Sequence, residues 1–481
     1  MAGAARVWLA LAGLVAGVLC ARRVDAFVPV ALVTGAACAL RRRGPWRAVG
    51  IVIVAFGAGA FDASVRSPDR QPAAALAAGV PFCRVSGLTL EDAGGLGTLA
   101  ALDRAECGGR VAEDAGVVFL DDARGGLAGR RFTAEGWLVP LGDEAFDRAR
   151  RSAGAAASFS TTTWHDLGFG SPLHAFAGRV RSGLAAAAAP LGPPGGLLRG
   201  LTIGDTNGID PQTEEALRRS GLAHLLAVSG SNVAILLGAV VLGLRRTPFV
   251  VRVGSCAVAL ALFVAVVGPD PSVLRAAAMG AIAIVALVYG RRTEPLHSLG
   301  LALVALVALR PGIVYSTGLH LSAAATAGIV LWTRPLAARL ERLPKVAAVA
   351  VAATVAAQVA VAPLLIAGFG RLPVGGLPAN VLAMAAVPPA TVLGLGAAAL
   401  SPVAPGAAGV VARLASPFAA WVLRVGEAFA APAWASPEVP RAWGLVLAVP
   451  VLVATVRSVP TALRPGARNL DVSNRSAPEG G

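Results

Sequence analysis

The apolar residues of this chain gather in long runs, many free of charge for about twenty residues, the length an α-helix needs to cross a bilayer. Only 14% of the 481 residues are charged and 56% are apolar, too little polar surface for a soluble protein of this size. The fold class that follows is a polytopic α-helical membrane protein. Three runs open the chain, over residues 7–20, 27–40 and 49–61. The first follows Arg6 and resembles a signal peptide, but no small-residue cleavage site follows it, so it reads as a retained span. Nine more runs follow at 222–244, 250–268, 272–290, 299–309, 314–332, 346–369, 377–400, 407–429 and 443–456, about twelve spans in all. Pro388, Pro389 and Pro417 interrupt some of these, so broken or re-entrant segments are expected.

A polar insert separates the first three runs from the rest. Residues 62–221 hold 16 Arg and 19 acidic residues, a net charge of −3, although the whole chain carries +15. Basic excess beside the spans is first a topology signal. Placing the link with Arg41, Arg42, Arg43 and Arg47 inside puts residues 62–221 outside. Arg245, Arg246, Arg291, Arg292, Arg334, Arg339, Arg342 and Lys345 then fall inside as well. Arg22, Arg23, Arg310 and Arg371 are exceptions. The expected location is the inner (plasma) membrane, with the insert external.

Within the insert, residues 80–85, 116–120 and 131–139 read as short strands, with turns at Gly94–Gly97 and Gly125–Gly126, and together suggest a small β-barrel. Residues 172–189 switch to helical periodicity: Leu173, Phe176, Val180 and Leu184 recur, with Arg179 and Arg181 between them. Such a helix either rests on membrane lipid or packs on the insert. Cys20, Cys38 and Cys256 sit in or beside apolar runs, while Cys83 and Cys107 sit in the insert. No CxxC pair supports a zinc site. An external insert permits a Cys83–Cys107 disulfide; two free thiols is the alternative.

The most informative stretch is residues 220–233, Ser-Gly-Leu-Ala-His-Leu-Leu-Ala-Val-Ser-Gly-Ser-Asn-Val. It resembles the central signature of the ComEC competence family, with His224, Ser229 and Gly230 matching and Asn232 where many members have a second His. Leu-Thr-Ile-Gly-Asp, ending in Asp205, resembles the family's preceding element. Pro271-Ser-Val-Leu-Arg275-Ala is similar to its Pro-x-x-x-Arg-Ala. Residues 316–322, containing His320 and Ser322, are similar to Gly-Phe-Gln-Leu-Ser, and Gln358 and Asn380 resemble later polar positions. The likeness spans roughly residues 195–400. It implies three N-terminal spans (1–61), an external OB-like domain (62–170), an amphipathic helix and linker (171–221), a multi-span channel for single-stranded DNA (222–457) and a polar tail (458–481). It also implies an external DNA receptor and a cytoplasmic helicase-like ATPase as partners. Longer members add a metallo-β-lactamase-like nuclease. This sequence has only five His and no His-x-His-x-Asp-His cluster, so a short form without that domain is expected, with no cofactor and no enzymatic activity. No P-loop supplies a motor.

Polar groups in apolar spans usually face a cavity or one another. His224, Ser229, Asn232, Arg275, His320, Ser322, Gln358 and Asn380 are such a set, with Gly230 allowing close approach. They read as a path for a phosphate backbone, or as hydrogen-bonded helix ties. Asp270 and Asp205 are expected partners for Arg275, and Arg413, Arg424 and Glu427 an ion-pair group. Two rival functions are a secondary transporter of a small anionic or lipid-linked substrate and, with less support, a Ser/His hydrolase. The hydrolase needs Ser229 and His224 together, yet five positions place them on different helix faces.

Overall fold

The computed structural model describes residues 71–462, apart from 93–97, 122–127, 143, 145–146, 148–149, 152–153, 227, 229, 292–293, 311–312 and 315. The three N-terminal runs, the Gly-rich turns at 94–97 and 125–126, Ser229 and the tail beyond residue 462 lie outside the described residues.

The insert begins with a short helix, α1 (Pro72–Ala77), then five strands: β1 (Phe82–Asp92), β2 (Thr98–Cys107), β3 (Arg110–Leu120), β4 (Arg130–Pro140) and β5 (Ala157–Phe169). The pairing order β1–β2–β3–β5–β4 returns to β1 and closes on itself. Every pairing is antiparallel except β3–β5, which is parallel and only three residue pairs long. Inward positions converge on one core containing Val85, Leu102, Val118, Phe132, Leu138 and Phe159, and Ala73 and Ala77 of α1 cover it. Phe132 stacks on Trp164 at 4.3 Å between centroids. Cys83 and Cys107 face each other across β1–β2, both buried in this core, and form a disulfide.

The three expected strands each fall on a real one, but β1 starts at Phe82 rather than at residue 80. Val80 has φ +47°, outside the extended region a strand requires.

The chain passes from barrel to helices without slack. Ser171 follows β5 and caps α2 (Pro172–Ala188) by accepting the His174 N–H at 3.2 Å. A Cβ on Gly178 would lie 2.2 Å from the Phe169 ring, so only glycine admits this close approach of strand end to helix. The buried face of α2, with Ala177, Val180 and Leu184, packs against helical-body residues Leu198, Val266, Ala397 and Ala412. The helix thus has a third neighbour, the helical body, beside the strand end that Gly178 meets. The next stretch is also structural: α3 (Pro193–Ile203) and α4 (Pro211–Arg219) place Leu197, Leu201 and Leu217 in a core with Ala379, Ala383 and Val422. Asp210 caps α4. The hydroxyl and N–H of Thr213 hold its carboxyl below the usual carboxylate range.

The apolar runs then form α5 (Gly230–Gly243), α6 (Phe249–Val267), α7 (Pro271–Val288), α8 (Pro295–Leu309), α9 (Thr317–Ala337), α10 (Lys345–Phe369), α11 (Gly376–Ala383), α12 (Val387–Leu400), α13 (Pro405–Ala430) and α14 (Ala442–Ala462). Among the described residues, α6, α7, α10 and α13 are each long and apolar enough to cross a membrane, residues Ala223–Gly243, which include α5, make a fifth candidate, and α11 with α12 a sixth if they form one broken span. They make this a membrane protein. The expected nine spans after the insert are not all supported. At 15 residues α8 is roughly 22 Å long at 1.5 Å per residue, short of a hydrocarbon core of about 30 Å.

Prolines act unevenly. Pro388 and Pro389 occupy the first turn of α12, where the missing N–H costs nothing, after a 55° bend from α11. Pro417 was expected to interrupt its run, yet α13 continues through it for 26 residues. The ion-pair group of Arg413, Arg424 and Glu427 does not form among the described residues. Arg424 instead lies 5.7 Å over the Trp421 ring. Arg413 and Glu427, 14 residues apart on one continuous helix, are separated by roughly 21 Å.

Candidate functional site

The signature stretch leads from a 3-10 turn (Ala223–Leu225) into α5, which begins at Gly230, with Val228 outside the helix and residues 227 and 229 outside the described residues. Three other elements converge on this entry to α5: the end of α3, the start of α7 and the start of α9.

Arg275 sits in the second turn of α7, only 6% exposed. Its Nε donates to Ser322 Oγ of α9 at 2.9 Å, and one terminal nitrogen lies 3.5 Å from Met279 Sδ. The other terminal nitrogen is 3.6 Å from where a Cβ on Gly230 would stand. Among the described residues no carboxylate comes within ion-pair distance of Arg275. Asp205, one of its expected partners, instead binds Arg199 of α3, with a contact from Arg199 Nε at 3.0 Å, and accepts the Asn207 N–H at 3.1 Å. Asp270, the other, is the N-cap residue of α7. Taking a guanidinium out of water costs several kcal/mol unless a counter-charge attends it, and neither a hydroxyl nor a thioether carries one.

Two further bonds tie this stretch to its neighbours. Ser272 Oγ, next to Pro271 at the start of α7, donates to the Val228 carbonyl at 3.1 Å. Asn232, buried in α5, donates through Nδ2 to the Leu201 carbonyl at 2.7 Å. Asn232 is therefore a tie between α5 and α3.

The remaining polar positions lie on the other side of this stretch. His224 Nδ1 is 3.1 Å from the Gly221 carbonyl, which makes it the protonated ring nitrogen. Gly221 has φ +73°, and a Cβ there would meet Gly376 Cα at 2.9 Å and Pro373 Cβ at 3.1 Å. Gln358 of α10 donates to the Pro373 carbonyl at 3.2 Å. His224 and Gln358 thus bracket one contact between the signature and the link into α11, the helix that carries Asn380. His320 is exposed in the first turn of α9, two residues before Ser322 on a different face.

Gly221→Ala forces a side chain into left-handed backbone, at about 1–2 kcal/mol, and into Gly376. We expect a lower midpoint of thermal unfolding in detergent. An unchanged midpoint would show that this contact is not a constraint.

Arg199, Ser272 and Met279 were not singled out from the sequence. Arg199 had a signal, as a lone charge in an otherwise apolar helix six residues before Asp205. Ser272 and Met279 had none that distinguished them from their neighbours.

Residues 201–460 match the Competence protein family, more than half of the chain. The chain belongs to the competence protein family. A segment of 138 residues is 28% identical to the ComE operon protein 3 of Bacillus subtilis (strain 168), covering 28% of this chain and 18% of that protein. No solved structure matches the chain. Asp205, the signature stretch, Arg275 and Ser322 all fall inside the matched family region.

Proposed function

We propose that this competence-family protein is the inner-membrane channel through which single-stranded DNA enters the cell during natural transformation. The observation that carries the reading is Arg275: a buried guanidinium without a carboxylate partner among the described residues, beside the start of α5. A charged group inside a membrane protein usually faces a cavity or a polar partner. A guanidinium there offers a planar fork to phosphate oxygens. Each passing phosphate supplies the counter-charge that the protein does not.

In this reading residues 62–221 are external and residues 62–170 form an OB-like domain. The closed β1–β2–β3–β5–β4 order and the parallel β3–β5 seam support that assignment. A disulfide persists in oxidising compartments, so Cys83–Cys107 supports the external side. About twelve spans, an external DNA receptor and a cytoplasmic helicase-like ATPase complete the proposal, and the channel itself is not an enzyme.

The barrel is expected to bind nucleic acid weakly alone, because residues 62–221 carry a net charge of −3 and several described arginines face carboxylates. Arg84 pairs with Glu135 at 2.6 Å, Arg104 with Glu113 at 3.0 Å and Arg131 with Asp103 at 3.2 Å. Cations so paired contribute less to the release of phosphate counterions. Titration of residues 62–170 with labelled oligonucleotide at low and moderate salt checks this. Tight, salt-sensitive binding would contradict a guiding role.

The test of the channel reading compares cells with and without the chain for entry of labelled DNA into a nuclease-protected form, alongside anion flux in vesicles containing it. DNA entry that depends on the chain, with no flux of small anions, supports the channel. The opposite pair of results favours a secondary transporter working at the same helices.

A further inference from the structure

A groove of about 580 Å³ opens between α2 and the corner joining α12 to α13, away from Arg275. Arg179 and Arg413 both line it, with Ser182, Ser401, Gly406 and Gly409 between them. Neither arginine forms an ion pair among the described residues, and no acidic residue lines the groove. The first turn of α13 carries none either. A volume of this size is in the range of small-molecule sites, roughly 300–1,000 Å³. Exposed apolar residues adjoin its lining in sequence: Val403 follows Pro402, and Val410 and Leu414 continue the i, i+4 row that starts at Gly406. On a membrane protein such a row faces acyl chains.

From this groove we infer a bound acidic phospholipid, its phosphate between Arg179 and Arg413 and its acyl chain along Val410 and Leu414. The two arginines select negative charge, and the adjoining apolar row selects a lipid over a nucleic-acid strand or free phosphate, neither of which has a chain to lay there. Ser182 and Ser401 line the groove with hydroxyls that donate to the carbonyls of Arg179, Val180 and Ala398, which leaves the two arginines as the headgroup's donors. Because α2 runs straight from the barrel, a lipid lodged here would hold the barrel's connecting helix against α13. The inference does not rest on the DNA reading; lipid retention and DNA uptake are separate measurements.

The test is lipid retention by the full chain, purified in mild detergent after exposure to vesicles of phosphatidylglycerol and phosphatidylcholine, read by native mass spectrometry. The wild-type chain is expected to keep phosphatidylglycerol in preference to phosphatidylcholine. Arg179→Gln and Arg413→Gln should each lower that retention about 5-fold, and together about 30-fold, the effect of one interfacial charge apiece. Gly406→Leu should lower it without changing charge, since a Cβ at Gly406 meets nothing within 4 Å and the side chain fills the groove. Excess inorganic phosphate or a single-stranded oligonucleotide should not displace the lipid. Equal retention of the two lipids, wild-type retention by the double variant or by Gly406→Leu, or displacement by phosphate or oligonucleotide would overturn the inference.

Discussion

Arg275→Gln is expected to lower DNA uptake by about 10- to 100-fold, the loss of one hydrogen bond to a charged group, while membrane insertion and expression stay at the wild-type level. Glutamine still reaches toward Ser322, so the tie between α7 and α9 survives in part and the charge alone is removed. The buried guanidinium has no carboxylate among the described residues, so its removal leaves no protein anion unpaired. This separates Arg275 from a structural ion pair, whose disruption strands a buried charge and destabilises the fold by several kcal/mol. Arg275→Lys should keep part of the uptake, because the charge remains while the planar fork does not. Uptake assays beside quantitative detection of the membrane-inserted protein separate the two roles. If Arg275→Gln inserts normally and imports DNA at the wild-type rate, Arg275 only joins helices and the strand does not pass it.

Loss of the Cys83–Cys107 bridge is the second large effect. It closes a loop with a sequence separation of 24 in a barrel whose β3–β5 seam is three pairs long. Removing such a link costs about 2–4 kcal/mol, chiefly by freeing the unfolded chain. For a domain of this size that is a large share of total stability. The Cys83→Ala, Cys107→Ala double variant should therefore be cut faster by protease within β1 and β2, while the helical body is spared. Wild-type protein treated with reductant should approach the same rate, and the variant should not respond to reductant. Equal cleavage of oxidised wild type and variant would mean that the α1 cap and the core around Phe132 and Phe159 hold the barrel without the bridge.

Why some of this was readable in advance follows from where the information lies. Apolar runs report local burial, so the helices from α5 to α14 fall close to their expected ranges. The barrel was half visible. β4 alternates plainly, with Phe132, Ala134 and Leu138 inward. β2 is Thr-Leu-Ala-Ala-Leu-Asp-Arg-Ala-Glu-Cys, whose Ala and Leu suit a helix. Only its neighbours make it a strand, because Leu102, Ala105 and Cys107 reach the core when β1 and β3 flank it. β5 fully buries just its first residues, Ala157, Ser158 and Phe159, and then runs half-buried at Thr161 and exposed at Thr162 and Thr163; its place depends on pairing with β3 and β4. At the candidate site, the sequence showed polar residues within apolar spans but not their partners. Arg275 and Ser322 are 47 residues apart, and nothing local distinguishes that bond from the Asp205 or Asp270 pairing expected in its place. The Arg179 and Arg413 groove was invisible for the same reason: each arginine reads as an ordinary interfacial charge until α2 is laid beside α13.

If a DNA strand passes Arg275 beside the signature, a photo-cross-linking amino acid at position 322 will capture it. Cells importing labelled DNA are irradiated during uptake, and the protein is recovered and examined for attached nucleic acid. Adducts with single-stranded DNA are expected from position 322, whose serine touches Arg275, and none from the same probe at Val446, an exposed position on α14. Equal labelling from both positions, or none from position 322 in cells that import DNA normally, would contradict passage at Arg275.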